Sequence, residues 1–296
     1  MKLHLVDGTY ELFRNYFGAP PKKSPDGLQV GATLGLLRSL YMLLSSSDVT
    51  HVAVAFDHVI ESFRNDLYSG YKTGEGVEPD LLNQFSLAED AVSALGVVVW
   101  PMIEFEADDA LATATARFKK DPSVKQIVLC SPDKDLAQIV SGKKIVCWDR
   151  RREIVLDESG VVKKYGVHPE SISDWLALVG DSADGYPGIP SWGEKSTSTV
   201  LARYKHLEAI PNDSSKWRVA SLSAGRAARL AENLSTHRHE ALLYRKLATL
   251  REDVPLKEEL SDLEWKGARP KLKVLCKMLG EKNLPERISR WREPSK

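Results

Sequence analysis

Short apolar runs closed by acids set the rhythm of the first half of the chain. Residues 3–6 run into Asp7-Gly8-Thr9, residues 51–56 into Asp57, and residues 126–130 into Ser131-Pro132-Asp133-Lys134-Asp135. A fourth run, residues 97–100, leads into Glu104-Phe105-Glu106-Ala107-Asp108-Asp109. Between the runs lie helical patterns. Leu34, Leu37, Leu40, Tyr41 and Leu44 fall on one side of a helix over 30–44, and the alanine-rich stretch 110–118 predicts a second helix starting near Ala107. Strands alternating with helices predict an α/β unit, a mostly parallel sheet with helices on both faces. From residue 169 the pattern turns helical. Ile172, Trp175, Leu176 and Val179 form an apolar face that ends at Gly180, and a glycine-rich hairpin leads to a helical stretch over 197–204. Residues 206–296 read as helical and basic in places, with neither an internal repeat nor a low-complexity segment.

Composition narrows the class. A chain of 296 residues, 43% hydrophobic and 28% charged, has room for one large core or a core with a smaller appendage. The formal net charge is zero, so a nucleic-acid partner would depend on where the bases lie rather than on their excess. Cys130, Cys147 and Cys276 are too few and too scattered for a disulfide framework or a zinc site, and read as buried small hydrophobes in a reducing compartment. Apolar stretches fall short of the roughly 18–20 residues of a membrane span. The N-terminal apolar run is too short for a signal peptide. The expectation is a monomer in the cytoplasm, or in an organelle after loss of a targeting segment, with no membrane partner.

Candidate chemistry follows from the acids. In a parallel sheet the strand ends share one edge, where α/β proteins place ligands. Asp7, Asp57, Glu106, Asp108, Asp109, Asp133 and Asp135 would converge there. Carboxylates that close repel one another. A helix N-terminus offsets one or two of them by under ~1 kcal/mol each, and hard divalent cations account for the rest. Near this edge, Tyr10 and Arg14 follow the first strand. A glycine-rich loop over 63–76 carries Arg64, Tyr71 and Lys72, cations and aromatics suited to a phosphate and a stacked base. In the later hairpin, backbone N–H groups near Gly188 and Gly193, with Lys195 and Ser196, suit a DNA phosphate. Arg150-Arg151-Arg152 reads as a solvated turn.

The ordered set Val6-Asp7-Gly8, Phe56-Asp57, Phe63-Arg64 with Tyr71-Lys72, Glu106-Ala107-Asp108-Asp109, Asp133-Lys134-Asp135-Leu136 and Gly180-Asp181-Ser182-Ala183-Asp184 resembles the 5′ nuclease (flap endonuclease) family. Pro187-Gly188-Ile189 and Gly193-Glu194-Lys195 complete it, and the likeness is to the 5′–3′ exonuclease domain of bacterial DNA polymerase I. The resemblance implies a PIN-like catalytic domain over residues 1–168 and a helical helix–three-turn–helix DNA-binding region over 169–296. It implies two divalent cations, Mg²⁺ or Mn²⁺, one at Asp7, Asp57, Glu106 and Asp108 with Asp109 close by, the other at Asp133, Asp135, Asp181 and Asp184. A potassium ion at the hairpin belongs to the same pattern.

Arg64 and Lys72 would bind the scissile phosphate, and Tyr10 or Tyr71 would stack on the terminal base. The expected substrates are DNA with 5′ flaps, nicks or 5′ ends, and RNA–DNA hybrids, with a separate DNA polymerase as partner. Glu75 stands where relatives carry arginine, and Ser191 and Trp192 stand for a glycine and an aliphatic residue. Three other readings compete. A haloacid-dehalogenase-type phosphatase would need a carboxylate where the chain has Leu5. A PIN-type ribonuclease leaves the hairpin unexplained, and a catalytically weak binder of branched DNA would use the same fold as a scaffold.

Overall fold

The computed structural model describes residues 1–293. Its elements begin with β1 (Lys2–Asp7), α1 (Gly8–Gly18), α2 (Gly31–Leu44), β2 (His51–Asp57) and α3 (Phe63–Leu67). Next come α4 (Pro79–Leu82), α5 (Phe85–Ala94), β3 (Val98–Met102), α6 (Ala107–Phe118) and β4 (Gln126–Cys130). A hairpin of β5 (Ile145–Asp149) and β6 (Ile154–Leu156) precedes α7 (Glu158–Tyr165), α8 (Ile172–Val179) and α9 (Glu194–Tyr204). The described chain closes with α10 (Ala224–Thr236), α11 (Arg238–Ala248), α12 (Lys271–Met278) and α13 (Asn283–Arg287). Two compact units result. One holds residues 1–60, 74–131 and 252–293, and the other holds 61–73 and 132–251.

The first unit is built on four parallel strands in the order β3-β2-β1-β4. Residues 52–56 of β2 are all buried, as expected of a strand covered on both faces. The path steps from β1 to β2 to β3 in one direction and then returns across the sheet to β4. With right-handed crossovers, this return puts α6 on the face opposite α1, α2 and α5. It also makes the gap between β1 and β4 the point where the winding reverses, the usual place for a ligand in such sheets. β3 begins one residue later than the apolar run suggested and continues through Pro101, which is exposed on this edge strand. Residues 10–17, which showed only as aromatics beside the edge, belong to α1.

The C-terminal segment departs from its sequence reading. Residues 252–293 fold onto the first unit instead of extending the helical region. Val254 N–H donates to Thr113 Oγ1 at 3.1 Å, Trp265 N–H to the Thr50 carbonyl at 2.8 Å, and Arg292 Nη2 to the Gly96 carbonyl at 2.6 Å. Gly96 has φ +89, and a Cβ there would lie 2.1 Å from the Gly267 carbonyl oxygen. Much of 249–270 is irregular, so its attachment rests on these backbone bonds and left no periodic signal.

In the second unit, β5 and β6 pair antiparallel around the Arg150–Arg152 turn. α8 and α9 flank the glycine-rich hairpin. Gly180 and Gly188 press backbone to backbone there: a Cβ on Gly188 would come within 2.5 Å of the Gly180 nitrogen, and one on Gly180 within 2.4 Å of the Pro187 carbonyl carbon. Trp192 faces inward, 3% exposed, with its indole N–H on the Leu230 carbonyl at 3.0 Å. The large residue in the hairpin is therefore core for the α10 side of this unit. Ser191 takes the left-handed region at φ +71, a conformation that explains why a glycine suits this position. Among the described residues no helix is long and apolar enough to cross a membrane, and all three cysteines are buried thiols.

Candidate active site

In the first unit, the acids at the strand ends are held by helix N-termini. Asp7 closes β1 and caps α1, its Oδ1 accepting from Tyr10 N–H at 2.8 Å while its Oδ2 accepts from the Ser131 hydroxyl at 2.9 Å. Ser131 follows β4 directly, so this bond spans the winding reversal. Asp57 closes β2, and its Oδ1 accepts from Ala107 N–H, the first residue of α6, at 2.7 Å. Thr9 Oγ1 in turn accepts from Asp57 N–H at 2.8 Å. The first turn of α6 carries Asp108 and Asp109, with Glu106 just ahead. Asp109 is fully buried and its Oδ2 accepts the Glu106 N–H at 3.0 Å. Through that bond Asp109 caps α6. Asp7 and Glu106 are 7% and 6% exposed.

The second unit gathers its acids more tightly. Carboxylate oxygens of Asp135, Asp181 and Asp184 lie within 4.8 Å of one another, and all three residues are buried. No other group of three His, Cys, Asp or Glu ligands meets that spacing among the described residues, so Asp7, Asp57, Glu106 and Asp108 do not form a comparable knot. Asp135 opens a short 3₁₀ turn after β4, while Asp181 and Asp184 come from the turn that follows α8. Asp133 is exposed and outside the close trio, its Oδ1 accepting Asp135 N–H at 2.8 Å.

Two lysines flank the trio, Lys134 Nζ at 2.7 Å from Asp181 Oδ2 and Lys72 Nζ at 3.3 Å from Asp184 Oδ1. Burial pushes the Asp135 carboxyl well above the usual carboxylate range, and the charges of Asp133, Asp184 and Asp181 add to the rise. Lys134 feels the same crowd: burial pulls its pKa down, but the bond to Asp181 and the neighbouring acids outweigh this and raise it. Lys134 carried no assigned role in the sequence reading, although its place between two aspartates was the available signal.

The electrostatics and a missing bond test the fit to a cation. Asp135 Oδ1 is buried with no hydrogen-bond partner. Three hard oxygen ligands, one with an unmet lone pair, suit a small divalent cation that prefers oxygen. Asp135, Asp181 and Asp184 are the residues that could hold it.

Other expected contacts resolve differently. Arg64 is 1% exposed, with Nε donating to the Leu247 carbonyl at 2.7 Å and Nη2 to the Thr249 carbonyl at 3.3 Å. It ties the chain just before residue 73 to the end of α11 and does not serve a phosphate. Tyr71 is 3% exposed, which removes its ring from base stacking. The glycine-rich loop is anchored here, Lys72 N–H donating to the Asp184 carbonyl at 3.0 Å and Asn65 Nδ2 to the Lys72 carbonyl at 2.9 Å. Lys72 keeps a half-exposed side chain at the acids.

Arg14 donates to Glu11 Oε2, and to Ser39 Oγ at 3.1 Å, so its guanidinium is engaged within α1 and α2. Tyr10 is half-buried in α1. Gly188 is buried and closes the hairpin, and Ser196 is 1% exposed, its hydroxyl donating to the Gly193 carbonyl at 3.0 Å as a helix cap. These two therefore shape the backbone instead of meeting a phosphate. Gly193 and Lys195 remain exposed at the start of α9.

Comparison with known proteins adds a family to this geometry. Residues 2–166 match the model of the 5′–3′ exonuclease N-terminal resolvase-like domain, and residues 167–271 match that of the 5′–3′ exonuclease C-terminal SAM fold. A 5′–3′ exonuclease of Aquifex aeolicus is 31% identical over 94% of this chain and 91% of its own length. One from Buchnera aphidicola is 35% identical over 84% and 82%. DNA polymerase I of Bacillus caldotenax is 31% identical over 97% of this chain, which spans only 32% of that relative. Among solved structures, the T5 5′-exonuclease with divalent zinc bound matches at TM-score 0.63 and 15% identity, over 84% of this chain and 89% of that one. The catalytic core of Rad2 in complex with DNA substrate matches at TM-score 0.56 and 15% identity, over 93% and 85%. At these identities the structural likeness speaks for the fold.

Proposed function

The chain belongs to the 5′–3′ exonuclease family, and on that premise we propose that it hydrolyses phosphodiesters of DNA near 5′ ends, as a structure-specific exonuclease and flap endonuclease. The observation that carries this reading is the buried knot of Asp135, Asp181 and Asp184 with Lys72 and Lys134 against it. Divalent cations bound there and at the strand-end acids, Mg²⁺ or Mn²⁺, would supply Lewis-acid polarisation of the phosphate and a more acidic water. The chain's own residues do the rest. Asp7 and Asp57 are orientated by the N–H groups of α1 and α6, and Lys72 stands ready to exchange Asp184 for a phosphate oxygen. Gly193 and Lys195 at the N-terminus of α9 offer a backbone grip that reads DNA by shape rather than sequence. A potassium ion at the hairpin would strengthen that grip.

The substrates this reading calls for are duplexes with 5′ flaps, nicks or free 5′ ends, RNA–DNA hybrids among them. Its partner would be a DNA polymerase that displaces such ends. A catalytically weak binder of branched DNA, on the same fold, is the alternative outcome of one assay. Cleavage of a 5′-flap duplex, a nicked duplex and a matched RNA–DNA hybrid is followed for the unsubstituted chain, Asp57→Ala and Asp133→Ala. Loss of cleavage with binding retained in both variants supports hydrolysis. Binding without cleavage by the unsubstituted chain supports the scaffold, and undiminished cleavage by either variant defeats the residue assignment.

A further inference from the structure

Two buried tyrosine hydroxyls of the second unit have no role in the reading above. Tyr186 is 1% exposed and its hydroxyl is buried with no hydrogen-bond partner. The Tyr165 hydroxyl is also buried and unpartnered. In the same unit, the carboxylate oxygen Asp135 Oδ1 shares that condition. Buried polar atoms are nearly always paired, by protein or by ordered water. Atoms without a protein partner leave ordered water as the partner to look for.

The backbone aims Tyr186 at the acids. Asp181 N–H donates to the Tyr186 carbonyl at 2.8 Å and Tyr186 N–H to the Asp181 carbonyl at 3.1 Å. Residues that exchange both bonds in this way send their side chains to the same side of the ladder. The ring is then fixed by stacking on Tyr244, centroids 5.5 Å apart and planes 22° from parallel. A plain core ring would meet the packing requirement equally well as phenylalanine, and would not bring an unpaired hydroxyl into a buried site.

We propose that Tyr186 is a positioning residue for the cation-binding carboxylates, its O–H donating through one ordered water to the Asp135–Asp181–Asp184 trio. The inference rests on the reading of that trio as a divalent-cation site. The donor would hold the ligand oxygens in the orientation that receives the cation, as outer partners of metal ligands do.

Tyr186→Phe keeps the ring and its stack on Tyr244 and deletes only the hydroxyl. Calorimetric titration with Mn²⁺ on the unsubstituted chain, Tyr186→Phe and Asp135→Asn is paired with thermal unfolding in EDTA. The expected result is Mn²⁺ binding about tenfold weaker in Tyr186→Phe, in a chain that still unfolds cooperatively in EDTA. Asp135→Asn loses the binding altogether. Mn²⁺ affinity within twofold of the unsubstituted chain would overturn the inference, as would loss of cooperative unfolding in EDTA. Absence of Mn²⁺ binding by the unsubstituted chain would instead overturn the cation reading of the trio, and the inference with it.

Discussion

Asp135 concentrates the electrostatic conflict of the second unit in one side chain. Its carboxyl titrates well above the usual range, first because it is buried and then because Asp133, Asp184 and Asp181 are close. The folded chain thus holds a proton there more tightly than the unfolded chain does. Stability from that proton is fully present below the ordinary carboxylate pKa and is lost as pH rises through the raised one. Asp135→Asn in EDTA should therefore match the unsubstituted chain near pH 4 and exceed it by about 1–3 kcal/mol near pH 8, the scale of a buried unpaired polar group. Denaturant unfolding across pH measures this. Added Mn²⁺ should reverse the order, because only the unsubstituted chain gains from binding. A variant less stable in EDTA at every pH would show that the trio is relaxed without a cation. Of this trio, Asp135 stands out in the sequence as an acid after a strand-like run, whereas Asp181 and Asp184 came only with the family resemblance. The opposite fates of two neighbouring basic residues are not legible there. Arg64 is drawn inward because the carbonyls of Leu247 and Thr249 meet its guanidinium, a contact made across more than half the chain, whereas Lys72 stays at the acids.

Among the elements, the hairpin between α8 and α9 is the most constrained. Gly188 has φ +72 and no room for a Cβ against the Gly180 nitrogen. Gly188→Ala should cost roughly 2–4 kcal/mol, from a left-handed backbone and overpacking against main chain that cannot yield. Ser191→Gly, at φ +71, should instead leave stability unchanged or raise it, since the strain lies in a side chain placed where glycine is at ease. Thermal unfolding of the two variants distinguishes them, and equal losses would contradict the backbone argument. Element by element, legibility follows the range of the signal. The start of α6 at Ala107 was readable because its acids and alanines are local. The inward turn of Trp192 was not, because its partner is the Leu230 carbonyl on α10. The return of residues 252–293 to the first unit was invisible for a similar reason, its bonds to Thr50, Gly96 and Thr113 being long-range and its own backbone largely aperiodic.

At the scale of the whole molecule, zero formal charge conceals a division between buried carboxylates and exposed bases such as Lys195. Neutralising the acids with cations leaves the bases uncompensated, so binding of DNA on this account depends on the cations and weakens with salt. The central claim is that Asp135, Asp181 and Asp184 hold a divalent cation for phosphodiester hydrolysis. Cleavage of a 5′-flap duplex, measured against Mg²⁺ and Mn²⁺ concentration for the unsubstituted chain and for Asp181→Ala, tests it most directly. The account predicts no cleavage in EDTA, saturable cleavage with either cation, and a loss of at least about a hundredfold in Asp181→Ala, on the scale of removing a group that stabilises developing charge. Cleavage that persists in EDTA, or that Asp181→Ala performs at the unsubstituted rate, would contradict it.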